Sequence, residues 1–157
     1  LLWRYEASDF VTSVSISSDG RRLASGSGDH RIYFFDDGKL SWSYETLGFI
    51  SSVSMSSDGE FVVAGSGDRR IYLLDSSGDL LWRYETGGEI WSVSMSSDGR
   101  CVAAGSEDGG IYILSWSGVK ERDARILQAE AILVILSALA LVAVLYWFRG
   151  ARSGGGG

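Results

Sequence analysis

The chain has 157 residues, 45% of them hydrophobic and 12% aromatic, with a net charge of −6 and a single cysteine. That much apolar and aromatic content excludes a disordered chain, and the acidic balance excludes a general nucleic-acid binder, which needs a basic stripe to displace counterions. One cysteine, Cys101, excludes an intramolecular disulfide and a cysteine-based zinc site.

Three copies of one segment run from residue 1 to 118: Leu1–Lys39, Leu40–Asp79 and Leu80–Gly118. Trp3, Trp42 and Trp82 occupy one position of the repeat; Val14, Val53 and Val93 another; Asp29, Asp68 and Asp108 a third. The successive steps are 39 and 40 residues, the difference lying in the shorter turn at Asp36–Lys39 compared with Asp75–Asp79. A period near 40 residues is the mark of a propeller or solenoid array. Residue 1 is leucine, with no charged leader or cleavage site before the first copy, so the chain is expected to be a fragment or processed product, with further blades supplied from upstream, the favoured source, or from another subunit.

Each copy parses into four short apolar runs divided by turn signals. In the third copy, Leu80–Glu85 alternates, which predicts a half-exposed strand with Leu80, Trp82 and Tyr84 facing inward. Ile90–Ser96 alternates serine with Val93 and Met95. Ser97-Asp98-Gly99 predicts a tight turn, and Cys101–Ser106 and Ile111–Leu114 are apolar on both faces. Strands buried on both faces imply sandwiched sheets. Small serine and alanine side chains on one face suit the larger Val, Met and Leu of the next. The predicted fold is all-β: a partial β-propeller of about three four-stranded antiparallel blades. Three blades do not close a ring.

Val119–Arg125 is a charged joint, with Glu121 and Arg125 at helical i,i+4 spacing. Residues 126–148 follow as a predicted C-terminal transmembrane α-helix. Ala131–Phe148 is 18 residues without a charge, about 27 Å of helix, close to the hydrocarbon thickness of a bilayer. Tyr146 and Trp147 stand at one end as an aromatic belt. Residues 149–157 read as a flexible tail.

Val93–Tyr112, with its V-S-x-S-S-D-G run and following G-S-x-D-x-x-I-Y, resembles WD40 repeats. Ile71–Trp82 also resembles PQQ-like propeller repeats. Asp29, Asp68 and Asp108 match the structural turn aspartate of WD40 blades. The Gly-His pair is absent, and Phe35-Asp36, Leu74-Asp75 and Leu114-Ser115 stand where the Trp-Asp pair would be, so the full hydrogen-bond network of that family cannot form. The resemblance implies that the outermost strand of a blade comes first in the sequence repeat. Leu1–Glu6 would then complete a blade lying upstream, and the last blade here would lack its outer strand. It also implies one rim shared by alternate turns, and on it Phe10, Phe49, Glu89 and Trp91, then His30, Arg31, Arg69 and Arg70, are the candidate partner-binding residues.

Chemistry is sparse. His30 is the only histidine, aligns with Arg69 and Gly109, and has no serine-aspartate set around it. Cys101 aligns with Phe61 and Arg22 and reads as a small packing residue. The Ser-Ser-Asp-Gly turns lack the spaced carboxylates of a calcium loop. No catalytic residue, cofactor or metal ligand is expected, PQQ included. The expected role is a non-catalytic, membrane-anchored platform for a protein, peptide or glycan, with no nucleic acid and a lipid bilayer held through residues 126–148. A propeller with a single C-terminal anchor resembles prokaryotic, especially archaeal, surface proteins, and that resemblance implies an extracytoplasmic propeller on a single-pass anchor. The alternatives are an enzyme or redox ectodomain with its active site in upstream blades, and a scaffold or sensor on the cytoplasmic face.

Overall fold

The computed structural model describes residues 2–116. The proposed membrane span, the charged joint and the tail lie outside them. Among the described residues no helix is long and apolar enough to cross a membrane.

Eleven strands form three antiparallel sheets. The first contains β1 (Val11–Ile16), β2 (Arg22–Ser27), β3 (Arg31–Asp36) and β4 (Lys39–Glu45). The second contains β5 (Ile50–Met55), β6 (Phe61–Ser66), β7 (Arg70–Asp75) and β8 (Leu80–Glu85). The third contains β9 (Ile90–Met95), β10 (Cys101–Ser106) and β11 (Ile111–Ser115). The sequence repeat and the sheet are thus out of phase by one strand, because the first run of each copy is the outer strand of the preceding blade. The expected all-β architecture of antiparallel blades is present, and the third sheet has three strands among the described residues, as the resemblance implied for the last blade. Residues 2–7 take no strand assignment, since a strand is defined by its ladder and no sheet lies beside them to pair with.

The local chemistry of each hairpin repeats. Ser17 Oγ donates to Asp19 Oδ1 at 2.6 Å, the Arg21 N–H donates to the same oxygen at 3.0 Å, and Gly20 takes φ +72°. Ser56–Asp58 and Ser96–Asp98 reproduce the 2.6 Å bond. The serine hydroxyl, then the backbone N–H, hold Asp19, Asp58 and Asp98 below their ordinary 3.8. A depressed folded-state pKa stabilises the native state above the unfolded-state value, and that contribution disappears as pH falls through the folded value. The thermal midpoint is therefore expected to hold from neutrality to about pH 5 and to drop below about pH 4. A midpoint rising on acidification would contradict this.

Blades stack by a large face meeting a shallow one. Ile32, Phe34, Ala24 and Gly26 of the first blade face Ile50, Val53 and Met55 of the second. Val63, Ile71 and Leu73 of the second face Ile90 and Val93 of the third. Gly26 and Gly65 are the notches that admit Ile50 and Ile90: an added Cβ would overlap the isoleucine Cγ2 and lie 3.0 Å from its Cβ. The equivalent Gly105 meets nothing within 4 Å. Gly65→Ala is expected to cost about 1–3 kcal/mol by overpacking, whereas Gly105→Ala is expected to stabilise slightly by stiffening a strand. Urea denaturation of the two variants tests the contrast.

Hydroxyls on the inner strands add polar links. Thr12 Oγ1 donates to the Ile50 carbonyl at 2.6 Å, and Ser51 Oγ donates to that of Ile90. Ser13, Ser52 and Ser54 accept from the Val53, Val93 and Met95 N–H groups at 3.1–3.2 Å. The hairpin turns also bond from blade to blade, Ser18 N–H to the Ser57 carbonyl and Ser57 N–H to that of Ser97.

The inward aromatic face expected for Leu80–Glu85 is corrected in one respect. Leu74 pairs with Leu80 and Leu73 with Trp82, leaving Leu81 on a bulge. The bulge turns Leu81 into the core at 2% exposure, while Tyr84 stays exposed. Cys101 is exposed, where a packed side chain was expected, because among the described residues no blade lies against its face of the third sheet.

Candidate interaction rim

The loops before each inner strand and the β2–β3, β6–β7 and β10–β11 turns are sewn together at one end of the blades. Gly28 N–H donates to the Phe10 carbonyl, Gly67 N–H to that of Phe49, and Glu107 N–H to that of Glu89, at 2.8–2.9 Å. Thr46 N–H bonds the His30 carbonyl and Thr86 N–H that of Arg69, both at 2.9 Å. The turns that the resemblance placed on one rim are thus paired by backbone hydrogen bonds, and Phe10, His30, Phe49, Arg69 and Glu89 lie in those turns.

Its frame is the repeated aspartate. Asp29 accepts from Tyr33 Oη at 2.6 Å and from the N–H groups of Ser8 and Arg31 at 3.0 and 3.1 Å. Burial works against the Asp29 carboxylate, but those bonds, with one from Ser27, outweigh it and hold its pKa below 3.8. Burial, then Asp29, pushes the Tyr33 phenol up to about 12. Asp68 accepts from Tyr72 and from the Leu47 and Arg70 N–H groups at 3.2 and 3.1 Å. Asp108 accepts from Tyr112, Gly87 and Gly110, and the Tyr112 bond is the main cause of its lowered pKa. Each aspartate ties a turn to the chain entering from the preceding strand.

The sequence-predicted residues divide by position. Arg31 is bonded to Glu45 at 2.7 Å and Ser43 at 3.3 Å, and Arg70 to Glu85 at 3.3 Å, so both lie across strand pairs. His30 and Arg69 are exposed, and their side chains make no hydrogen bond or ion pair among the described residues. Phe10 is exposed; Phe49 is half-buried, its ring over Gly67. Glu89 is half-buried. Trp91 stands apart from the rim: it occupies the β9 position from which Thr12 and Ser51 reach the following blade, and it is 58% exposed. Sequence reading missed Leu47, 77% exposed on the same rim. Its signal was the alignment with Ser8 and Gly87, in which it alone is apolar.

His30 and Arg69 both adopt φ +70°, where the third copy has Gly109 at +81°. A side chain in this left-handed region costs about 1–2 kcal/mol, partly offset by glycine's backbone entropy. Arg69→Gly is expected to raise unfolding stability by about 0.5–1 kcal/mol, measured by chemical denaturation, while removing one rim cation. Among the described residues no three His, Cys, Asp or Glu side chains cluster to hold a metal ion.

Stacked four-stranded sheets on a 40-residue repeat, with inner strands side by side and a shared loop rim, define a β-propeller repeat module. The family described as outer membrane protein assembly factor BamB matches residues 1–132, and the chain belongs to that family. No curated protein gives a match to the chain.

Proposed function

We propose that the chain is a non-catalytic binding platform whose blades present the loop rim to a protein or peptide partner. The carrying observation is where the copies differ. Positions that build the blades repeat, whereas the rim carries exposed Phe10, Leu47, His30 and Arg69. Exposed aromatic and arginine side chains are the residue types that anchor partners. The match to the BamB family supports a scaffold reading. A glycan is the weaker candidate for the same surface. Residues 126–148 tether the platform to a bilayer, with the blades on the extracytoplasmic side.

The test is affinity capture from native membranes with the full chain and with Phe10→Ala/Arg69→Ala. The expected result is a partner held by the parent chain and lost by the variant, but retained by Arg100→Ala on the hairpin turn of the third blade. Turnover of a substrate with no captured partner would overturn the reading. Protease shaving of intact cells, removing the blades while sparing the span, checks the orientation.

A further inference from the structure

The rim keeps one backbone pattern in all three blades and changes its side chains. The N–H groups of Gly28, Gly67 and Glu107 donate to the carbonyls of Phe10, Phe49 and Glu89. In the first two blades a phenyl ring lies over the glycine, Phe10 over Gly28 and Phe49 over Gly67. In the third, glutamates stand at both places, and Glu107 is exposed. The left-handed turn position changes with them: His30 and Arg69 give way to Gly109. A ring with a cation is thus replaced by two carboxylates without one.

The second blade carries the first kind of rim without an opposing acid. Leu47 is held between two turns. Thr46, just before it, donates through its hydroxyl and its N–H to the His30 carbonyl, both at 2.9 Å, and the Leu47 N–H donates to Asp68 at 3.2 Å. Leu47, 77% exposed, therefore lies between the His30 turn and the Arg69 turn. The Asp68 carboxylate is engaged by Tyr72, Leu47 and Arg70, and Arg70 itself is paired with Glu85. Arg69 has no such partner among the described residues. On the first blade Asp9, which accepts from the Phe10 N–H at 2.8 Å, sets a negative charge against His30; its equivalents in the other blades are Gly48 and Gly88.

We infer that the rim of the second blade takes an acidic, apolar stretch of a protein partner, a reading that rests on the binding platform proposed above. A carboxylate of the partner pairs with Arg69, and an apolar side chain beside it covers Leu47 and Phe49. The guanidinium fork suits a carboxylate, and covering Leu47 removes water from the pair. Glu89 and Glu107 fix which way the stretch lies. A second carboxylate laid over the third blade meets like charge, whereas a basic residue there is attracted. Packed sheets stand about 10 Å apart and an extended chain advances about 3.3 Å per residue, so about three residues separate the acidic and basic ends. A flat anionic membrane fits less well, since phosphates that reach Arg69 would also crowd Glu107.

The probe is a fluorescein-labelled peptide, Asp-Leu-Glu-Gly-Ser-Lys-Lys, titrated with the full chain in neutral detergent and followed by anisotropy. A second probe has Glu-Glu in place of Lys-Lys, and a third has Lys in place of both acids. The first probe is expected to bind tighter than the other two. Arg69→Glu is expected to weaken it about tenfold or more, and Leu47→Ser several-fold. Glu107→Lys is expected to reverse the order of the first and second probes, an outcome that a damaged fold would not produce. Arg100→Ala, at the opposite end of the third blade, is expected to change nothing. Equal binding of the first and third probes, no loss in Arg69→Glu, or an unchanged order in Glu107→Lys overturns the inference. So does binding of short-chain phosphatidylglycerol with none of the first probe. If the capture experiment yields a partner while these peptides fail, the platform stands and its acidic occupant falls; if both fail, both fall.

Discussion

Phe34→Ala is expected to lower unfolding stability by about 3–5 kcal/mol, the range for truncating a fully buried aromatic side chain. Phe34 is 1% exposed and stacks on Trp42 with centroids 5.0 Å apart and planes 2° apart. Its cluster draws Met55, Val62, Tyr72 and Leu74 from the second blade. Little can collapse into the void, because both walls are hydrogen-bonded sheets. Ile113 holds the same place in the third blade at 70% exposure, and Ile113→Ala is expected to cost under about 0.5 kcal/mol. Urea titrations of the two variants isolate what the neighbouring blade contributes. A large loss for both would mean that packing within one sheet, and not stacking, carries the stability.

Asp68→Ala is expected to cost about 2–4 kcal/mol, because each unpaired polar group left behind costs about 1–3 kcal/mol and part of the backbone finds water. Tyr72 is 3% exposed, so its hydroxyl has no ready substitute partner. Burial, then Asp68, pushes that phenol up to about 12. Tyr72→Phe removes the demand along with the donor, so the double variant is expected to lose less than the sum of the singles. A double-mutant cycle by denaturation measures the coupling, and additive losses would refute it. The released Leu47 N–H also frees a rim loop, so partner capture is expected to weaken with stability. At Asp108, which is exposed, the same substitution is expected to cost less.

These contrasts show how far the repeat could be read. Strand positions in the third copy were legible to within a residue, since alternation and Ser-Ser-Asp-Gly turns mark them locally. The offset between copy and sheet came only through the family resemblance. The rim as a place also came through the resemblance, and variation between copies only marked residues on it. Arg31 and Arg70 were not legible as paired, since Glu45 and Glu85 lie across a strand pair at a separation that periodicity does not encode. Leu81 was misread because a bulge shifts alternation by one residue, and nothing local marks it.

By itself the amino-acid order determined that this chain is built of repeated, two-faced β units with turns at set intervals, because backbone hydrogen bonding and apolar alternation act over a few residues. Only the tertiary structure decided which isoleucine fills which glycine notch, that Leu81 turns inward on a bulge, and that Trp91 lies on a blade face instead of the rim. Those outcomes depend on contacts between residues about one repeat apart, where identical copies offer identical partners and only the stacking of the sheets selects among them.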